Sequence, residues 1–150
     1  MIRTLAICFF FLLSVFRFTD SGPEWKVLVS GKNSGCMEKK AVILHDEKEF
    51  VRAWMALRKT DFSLAEKPPK VNFREKLIIA CFAGTQTNGL EADSLFVTKG
   101  CLTVCMSRLS IPAHCHNAAL LVTPFVFIET DRVGWNVMKE QDRVRIRDCN

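Results

Sequence analysis

The fold is decided by residues 68 to 90, PPKVNFREKLIIACFAGTQTNGL. The proline pair ends the preceding segment, because proline lacks a backbone N–H and cannot continue a helix or a central strand. The short apolar run from Leu77 to Ala83 lies between a charged step and Gly84. A run of this length, bounded in this way, predicts a buried central strand that leads into a shaped loop.

The loop from Gly84 to Gly89 is the predicted binding site. It contains no acidic residue, no histidine and no metal ligand, but it offers backbone amides, hydroxyls and amide side chains. Loops held in place by a sheet often carry the contacts of a domain. We therefore expect polar groups at the tip to face outward; the alternative is a tight connection in which the glycines serve backbone geometry. The predicted contact residues are Gly84, Thr85, Thr87, Asn88 and Gly89.

Other apolar runs predict further strands at residues 25–29, 40–44, 94–98 and 101–106. The last two flank Lys99-Gly100, which predicts a hairpin with a two-residue turn. Pairing through this turn places five apolar side chains on one core face: Leu95, Val97, Leu102, Val104 and Met106.

One helix is predicted over about residues 46–58. Asp46 can cap its first turn, and Glu49 completes a capping box. Phe50, Trp54 and Leu57 then fall on one face, which predicts a helix that packs against a core. Together these elements predict a single α+β domain, rich in antiparallel strands, with this helix packed on the sheet and the remaining sheet surface in solvent.

The C-terminal part predicts an interrupted strand and a terminal hairpin. Residues 118–128 are largely apolar but contain Pro124, which predicts an edge position or a bulge. Residues 133–138 and 144–147 predict the hairpin. In residues 143–147, RVRIR, three arginines alternate with two apolar residues, a pattern that favours a solvated edge strand over a site for an anionic partner.

The first 21 residues predict a signal peptide. Arg3 precedes the apolar run from Leu5 to Phe16, which is shorter than the roughly twenty residues of a membrane span. We expect cleavage near Ser21 and Gly22; the alternative is an uncleaved anchor. Residues 22–150 then suffice for one domain, without a stable membrane span, in a secreted, periplasmic or cell-envelope protein.

Charge and motifs limit the classes of function. Residues 22–150 carry 19 basic and 15 acidic side chains, an excess too small to favour nucleic acid or a membrane surface as partner. No glycine-rich phosphate cradle and no defensible pair of acidic residues occurs in the chain. We therefore predict a protein partner, no enzymatic activity, no catalytic residues, no cofactor and no metal site.

Six cysteines remain after the predicted cleavage, and an oxidising compartment allows disulfides. Cys105 and Cys115 flank one loop and are the predicted pair. Cys81 lies in the most apolar strand and is predicted to be a buried thiol.

A metal- or redox-active protein is the rival hypothesis. Cys101 and Cys105 would lie about 13 Å apart on a straight strand, too far to share one zinc ion. The rival therefore needs contributions from the following loop. Its candidate residues are Cys101, Cys105, His114, Cys115 and His116.

Several motifs within about residues 28–129 share one resemblance. They are Gly31 with Ser34-Gly35 and Ala41-Val42-Ile43, the segment from Asp46 to Leu57, Val71-Asn72-Phe73, the loop after Gly84, and Cys115 followed by residues 123–128. Together they resemble the C-terminal domain of the PrcB family of bacterial protease-complex subunits, which usually has Gly-Gly-Tyr in place of Asn88-Gly89-Leu90. The resemblance implies an accessory subunit that supports the assembly or stability of an exported protease. A purely structural envelope domain is the remaining alternative.

Overall fold

The computed structural model describes residues 22–85, 87–112, 114–115, 121–132 and 134–148, so the predicted signal peptide lies outside the described residues. The elements in chain order are β1 (Trp25–Gly31), β2 (Lys39–Leu44), α1 (Glu47–Arg58), β3 (Lys76–Ala83), β4 (Gly89–Thr98), β5 (Cys101–Ser110), β6 (Phe125–Asp131) and β7 (Val137–Ile146). The predicted α+β class is confirmed. Within these ranges no helix has the length and apolar character needed to cross a bilayer.

The strands form two sheets that pack face to face. One sheet has the order β1-β6-β3-β2 and the other the order β4-β5-β7. Their shared core is built from alternate residues of four strands: Leu77, Ile79, Cys81, Val126 and Ile128 on one side, and Leu95, Leu102, Val104 and Met106 on the other. α1 covers the opposite face of the four-stranded sheet. The expectation of a sheet with only one buried face is therefore wrong for β3, which is covered on both sides.

α1 begins as the sequence predicts. Asp46 Oδ1 accepts a hydrogen bond from the Glu49 N–H at 2.8 Å, and Glu49 Oε2 accepts one from the His45 N–H at 2.7 Å. The first contact satisfies a backbone donor that the helix leaves without a partner at its N-terminus. The second ties the Glu49 carboxylate to the residue before the cap rather than to the cap itself. The predicted apolar face is confirmed, since Phe50, Trp54 and Leu57 are buried.

The hairpin of β4 and β5 is also confirmed. Lys99 and Gly100 both have positive φ angles, 50° and 74°, which suit the turn types that join twisted antiparallel strands. Thr98 pairs with Cys101 across the turn. The five apolar side chains predicted for the inner face either form the shared core or pack against it.

Pro124 does not mark an edge. β6 begins at the next residue and lies between β1 and β3, inside the four-stranded sheet. Pro124 contributes its carbonyl oxygen, which accepts a hydrogen bond from the Ala83 N–H at 2.9 Å. The predicted edge position is wrong because the proline precedes the strand, where no ladder N–H is needed. Residues 118–120 of the predicted strand lie outside the described part of the chain.

The predicted terminal hairpin is wrong. Residues 137–146 form one strand, β7, which pairs in parallel with β5. β7 is the last strand of its sheet, so the edge position predicted for the RVRIR segment is confirmed. Arg145 lies 2.9 Å from Asp93 Oδ1 and Arg143 lies 3.5 Å from Asp93 Oδ2, so two of the arginines have a partner on β4.

Candidate functional site

A groove of about 620 Å³ lies between α1, β2 and the segment of residues 34–38. Its volume falls within the range of about 300–1,000 Å³ that is common for binding pockets. β2, β3 and α1 supply mainly apolar side chains to the groove. They are Val42 and Leu44 from β2, Ala80 and Phe82 from β3, and Ala53, Ala56 and Leu57 from α1.

Two charged residues lie among those that line the groove, Glu38 and Lys40. The Lys40 ammonium is 5.5 Å from the centroid of the Phe82 ring, a cation–π contact. Met37 and Val42 are 59% and 39% exposed, so apolar surface at the groove is open to solvent. The groove thus combines apolar walls with charged groups.

The titratable residues that line the groove are Cys36, Glu38 and Lys40. No histidine of the described residues lines the groove, and the Cys36 thiol donates a hydrogen bond to the Glu38 carbonyl oxygen at 3.2 Å. In the described ranges, no group of three or more histidine, cysteine, aspartate or glutamate side chains is placed to hold a metal ion.

β2 turns backbone hydrogen-bonding groups outward beside the groove. It is the last strand of its sheet. The Ala83 N–H bonds to Pro124 on the β6 side, so it points away from Lys39, the β2 residue paired with Ala83. Inward and outward backbone groups alternate along an antiparallel strand. The N–H and C=O groups of Ala41 and Ile43 therefore point away from β3, toward the open edge.

Two polar side chains of the predicted binding loop form hydrogen bonds with the backbone at the end of β5. Thr87 is buried, and its hydroxyl donates to the Leu109 carbonyl oxygen at 2.5 Å. Asn88 Oδ1 accepts a hydrogen bond from the Ile111 N–H at 3.1 Å. The expected outward orientation is therefore wrong for Thr87 and Asn88, because the end of β5 uses these groups. A binding role for the loop stays a prediction.

We expect Thr87→Val to lower the free energy of unfolding by about 1 kcal/mol, because it removes a buried hydrogen bond of ordinary net strength. Denaturant melts measure the loss. Thr85→Val is the matched control: Thr85 is less buried, and its expected change is about 0.5 kcal/mol or less. Equal unfolding midpoints for the two variants would contradict a structural role for the Thr87 hydroxyl.

The glycines of the loop have structural roles. A Cβ at Gly84, where φ is +69°, would lie 2.8 Å from the Met37 carbonyl oxygen. One at Gly89 would lie 2.9 Å from the Leu109 side chain. Gly84 thus supports the segment that borders the groove, which places one end of the predicted loop against the groove.

The groove itself was missed at the level of sequence, since its residues come from separate segments. A usable signal exists on α1. Ala53 and Ala56 are small residues next to the buried Trp54 and Leu57, and small residues at the margin of an apolar helix face leave space above a sheet.

Among the described residues, the candidate cysteines and histidines form no group that could hold a metal ion. Cys101 and Cys105 are free thiols on β5, while His114 is exposed in a turn and His116 lies outside the described residues. Because Cys105 is free, the predicted Cys105–Cys115 disulfide is not formed. Cys105 sits in the middle of β5, about 17 Å from the end of the strand at the usual rise per residue, whereas Cys115 follows the strand.

Thiol labelling tests this assignment. Cys115 is not among the free thiols. In denaturant without reductant, we expect an alkylating reagent to modify the four free thiols, Cys36, Cys81, Cys101 and Cys105. Cys115 should be modified only when a reductant is added. Without denaturant, Cys81 should react slowly, since burial removes it from solvent and raises the pKa of its thiol. Peptide mass mapping reads both results; protection of Cys105 that reductant reverses would contradict the assignment.

A cluster of charged side chains joins the outer strands of the two sheets, β2 and β7. Lys39 Nζ lies 2.6 Å from Asp142 Oδ2 and 3.7 Å from Glu140 Oε2. Burial raises the pKa of the Glu140 carboxyl, and Lys39 opposes this change. Since the cluster links the outer strands β2 and β7, we interpret it as a structural contact between the sheets.

The chain matches no protein-family profile, no curated protein and no solved structure. The PrcB-like resemblance therefore remains an expectation from the motifs, and the groove and the strand beside it are the structural features that bear on function.

Proposed function

We propose that the chain is an exported, non-enzymatic domain that binds another protein through the groove beside β2. The observation that carries this proposal is the position of a largely apolar groove of about 620 Å³ directly beside the outer edge of β2, with which no strand of the described residues pairs. Protein interfaces commonly combine an apolar centre with a polar rim. The apolar floor of the groove, with Glu38 and Lys40 among its lining residues, fits that organisation.

The finer proposal concerns the partner. The resemblance to the PrcB family supports an accessory subunit that aids the assembly or stability of an envelope or extracellular protease. The apolar run after Arg3 supports export.

Export has a direct test. N-terminal sequencing of the protein recovered from the periplasm or the medium should begin at about Gly22, because the apolar run ends shortly before it. An exported protein that still begins at Met1 would contradict cleavage and favour the anchor.

Co-purification from the native host tests protein binding. Ala56→Trp should fill the groove from α1 without disturbing the core, since Ala56 is exposed and lines the groove. Met55→Trp is the matched control, because Met55 is its neighbour, is 47% exposed and does not line the groove. We expect a protein partner to be lost from Ala56→Trp and retained by Met55→Trp at equal melting temperatures.

The identity of that partner separates the two levels of the proposal. A protease among the lost proteins supports the accessory role, and a different protein supports binding alone. A set of co-purified proteins that is unchanged by Ala56→Trp would contradict the groove as the contact surface.

A further inference from the structure

We infer that the partner contributes an extended segment that pairs with the outer edge of β2, with an apolar side chain in the groove and an acidic side chain beside Lys40. This inference rests on the proposed protein-binding function and specifies how the same surface would act.

The backbone of β2 favours a strand as the occupant. Ala41 and Ile43 turn their N–H and C=O groups away from β3, and no strand of the described residues pairs with this edge. An extended segment can satisfy these groups by adding a strand to the sheet, a common mode of peptide recognition. A helix would leave them without backbone partners, because its own hydrogen bonds are internal.

The side chains of β2 set the spacing of the partner. Lys40, Val42 and Leu44 alternate along the strand and line the groove. An added strand lies about 4.8 Å away, and every second side chain of it points to the same face. A partner residue opposite Val42 therefore enters the groove, and the residue two positions away comes to lie beside Lys40.

Charge determines which residue fits at that second position. Lys39 has Asp142 as an ion-pair partner, whereas Lys40 makes no salt bridge within the described part of the chain. Its ammonium group, held over Phe82, is therefore available to a carboxylate of the partner. The expected recognition pattern is an apolar residue and an acidic residue separated by one position in an extended segment.

Selection from a random peptide library displayed on phage tests the pattern without knowledge of the natural partner. The bait is the full secreted chain, and the Ala56→Trp variant removes peptides that bind elsewhere. We expect the enriched peptides to share the apolar and acidic residues at alternate positions. Lys40→Glu should weaken their binding by roughly tenfold or more, the usual scale for losing a charge-assisted hydrogen bond. Lys48→Glu, an exposed charge change on α1, is the control and should leave binding unchanged.

Amide hydrogen exchange tests the strand pairing. When a synthetic copy of an enriched peptide binds, exchange at Ala41 and Ile43 should slow by roughly tenfold or more, because each N–H gains a backbone partner. Val42 and Leu44 should change little, since their amides already face β3.

The other outcomes would each overturn the inference. Unchanged exchange at Ala41 and Ile43, with peptide binding that Ala56→Trp abolishes, would exclude strand addition but leave protein binding at the groove intact. Failure of every peptide to distinguish the parent from Ala56→Trp would exclude an extended segment as the occupant, and the co-purification experiment would then decide the proposed function separately. Slow exchange at Ala41 and Ile43 without peptide, together with a dimer in sedimentation, would assign the edge to a second copy of the chain.

Discussion

Trp54→Ala is expected to lower the free energy of unfolding by about 3–5 kcal/mol, the usual cost of truncating a buried aromatic side chain. Trp54 is 3% exposed, and its ring centroid lies 6.0 Å from that of Phe50 in an edge-on arrangement. Its indole Nε1 donates a hydrogen bond to the Ala65 carbonyl oxygen at 3.0 Å. The substitution therefore leaves a cavity beneath α1 and an unpaired carbonyl in the segment that follows the helix.

Two further variants separate these contributions. Trp54→Phe keeps most of the packing and removes the indole N–H, so we expect a loss of about 1–3 kcal/mol. Met55→Ala, at a 47% exposed position on the same helix, should change stability by about 0.5 kcal/mol or less. Denaturant melts of the three variants give the comparison. A loss below about 1 kcal/mol for Trp54→Ala would contradict the buried helix face.

Gly84→Ala is expected to lower the free energy of unfolding by roughly 2–5 kcal/mol. The left-handed backbone at φ +69° accounts for about 1–2 kcal/mol in a residue with a side chain. The new Cβ would also lie 2.8 Å from the Met37 carbonyl oxygen and 2.9 Å from the Lys39 nitrogen. Because backbone atoms cannot move aside as a flexible side chain can, relieving this contact should cost a further 1–3 kcal/mol or so.

Gly134→Ala isolates the conformational part of this loss. Gly134 has a φ of +94°, and a Cβ there would have no heavy atom within 4 Å. We expect Gly134→Ala to lower the free energy of unfolding by only about 1–2 kcal/mol. The difference in stability between the two variants then measures the cost of the contact between residue 84 and residues 37–39. Gly84→Ala should also shift the amide resonances of those residues, which border the groove. Equal losses for both variants would show that the contact at Gly84 carries no cost.

Local chemistry made several elements predictable from the sequence. The helix followed from Asp46, Glu49 and an apolar spacing that repeats every turn. The β4–β5 hairpin followed from Lys99-Gly100 and from the alternation on both sides. Each of these signals acts within a few residues of the chain, so the competing structures are few and the residue types decide among them.

Long-range pairing was not predictable in the same way. β7 pairs in parallel with β5, and the alternation in RVRIR is equally compatible with the hairpin that the sequence suggested. Pro124 correctly indicated that its own position carries no ladder N–H. It did not indicate that β6, which begins at the next residue, lies inside the sheet between β1 and β3. Cys105 and Cys115 flank one loop in the sequence, yet the straight course of β5 separates the middle of the strand from that loop.

The sequence by itself determined the helix, the buried central strand, the hairpin, and the apolar faces of the helix and the hairpin. Only the tertiary structure decided that the described strands form two sheets and that Thr87 and Asn88 bond inward. It also decided that α1 and β2 leave a groove beside a strand edge that no described strand covers. The physical reason is the range of the forces concerned. Caps, turns and alternation act between near neighbours, whereas burial and strand pairing depend on which distant segments exclude water from one another.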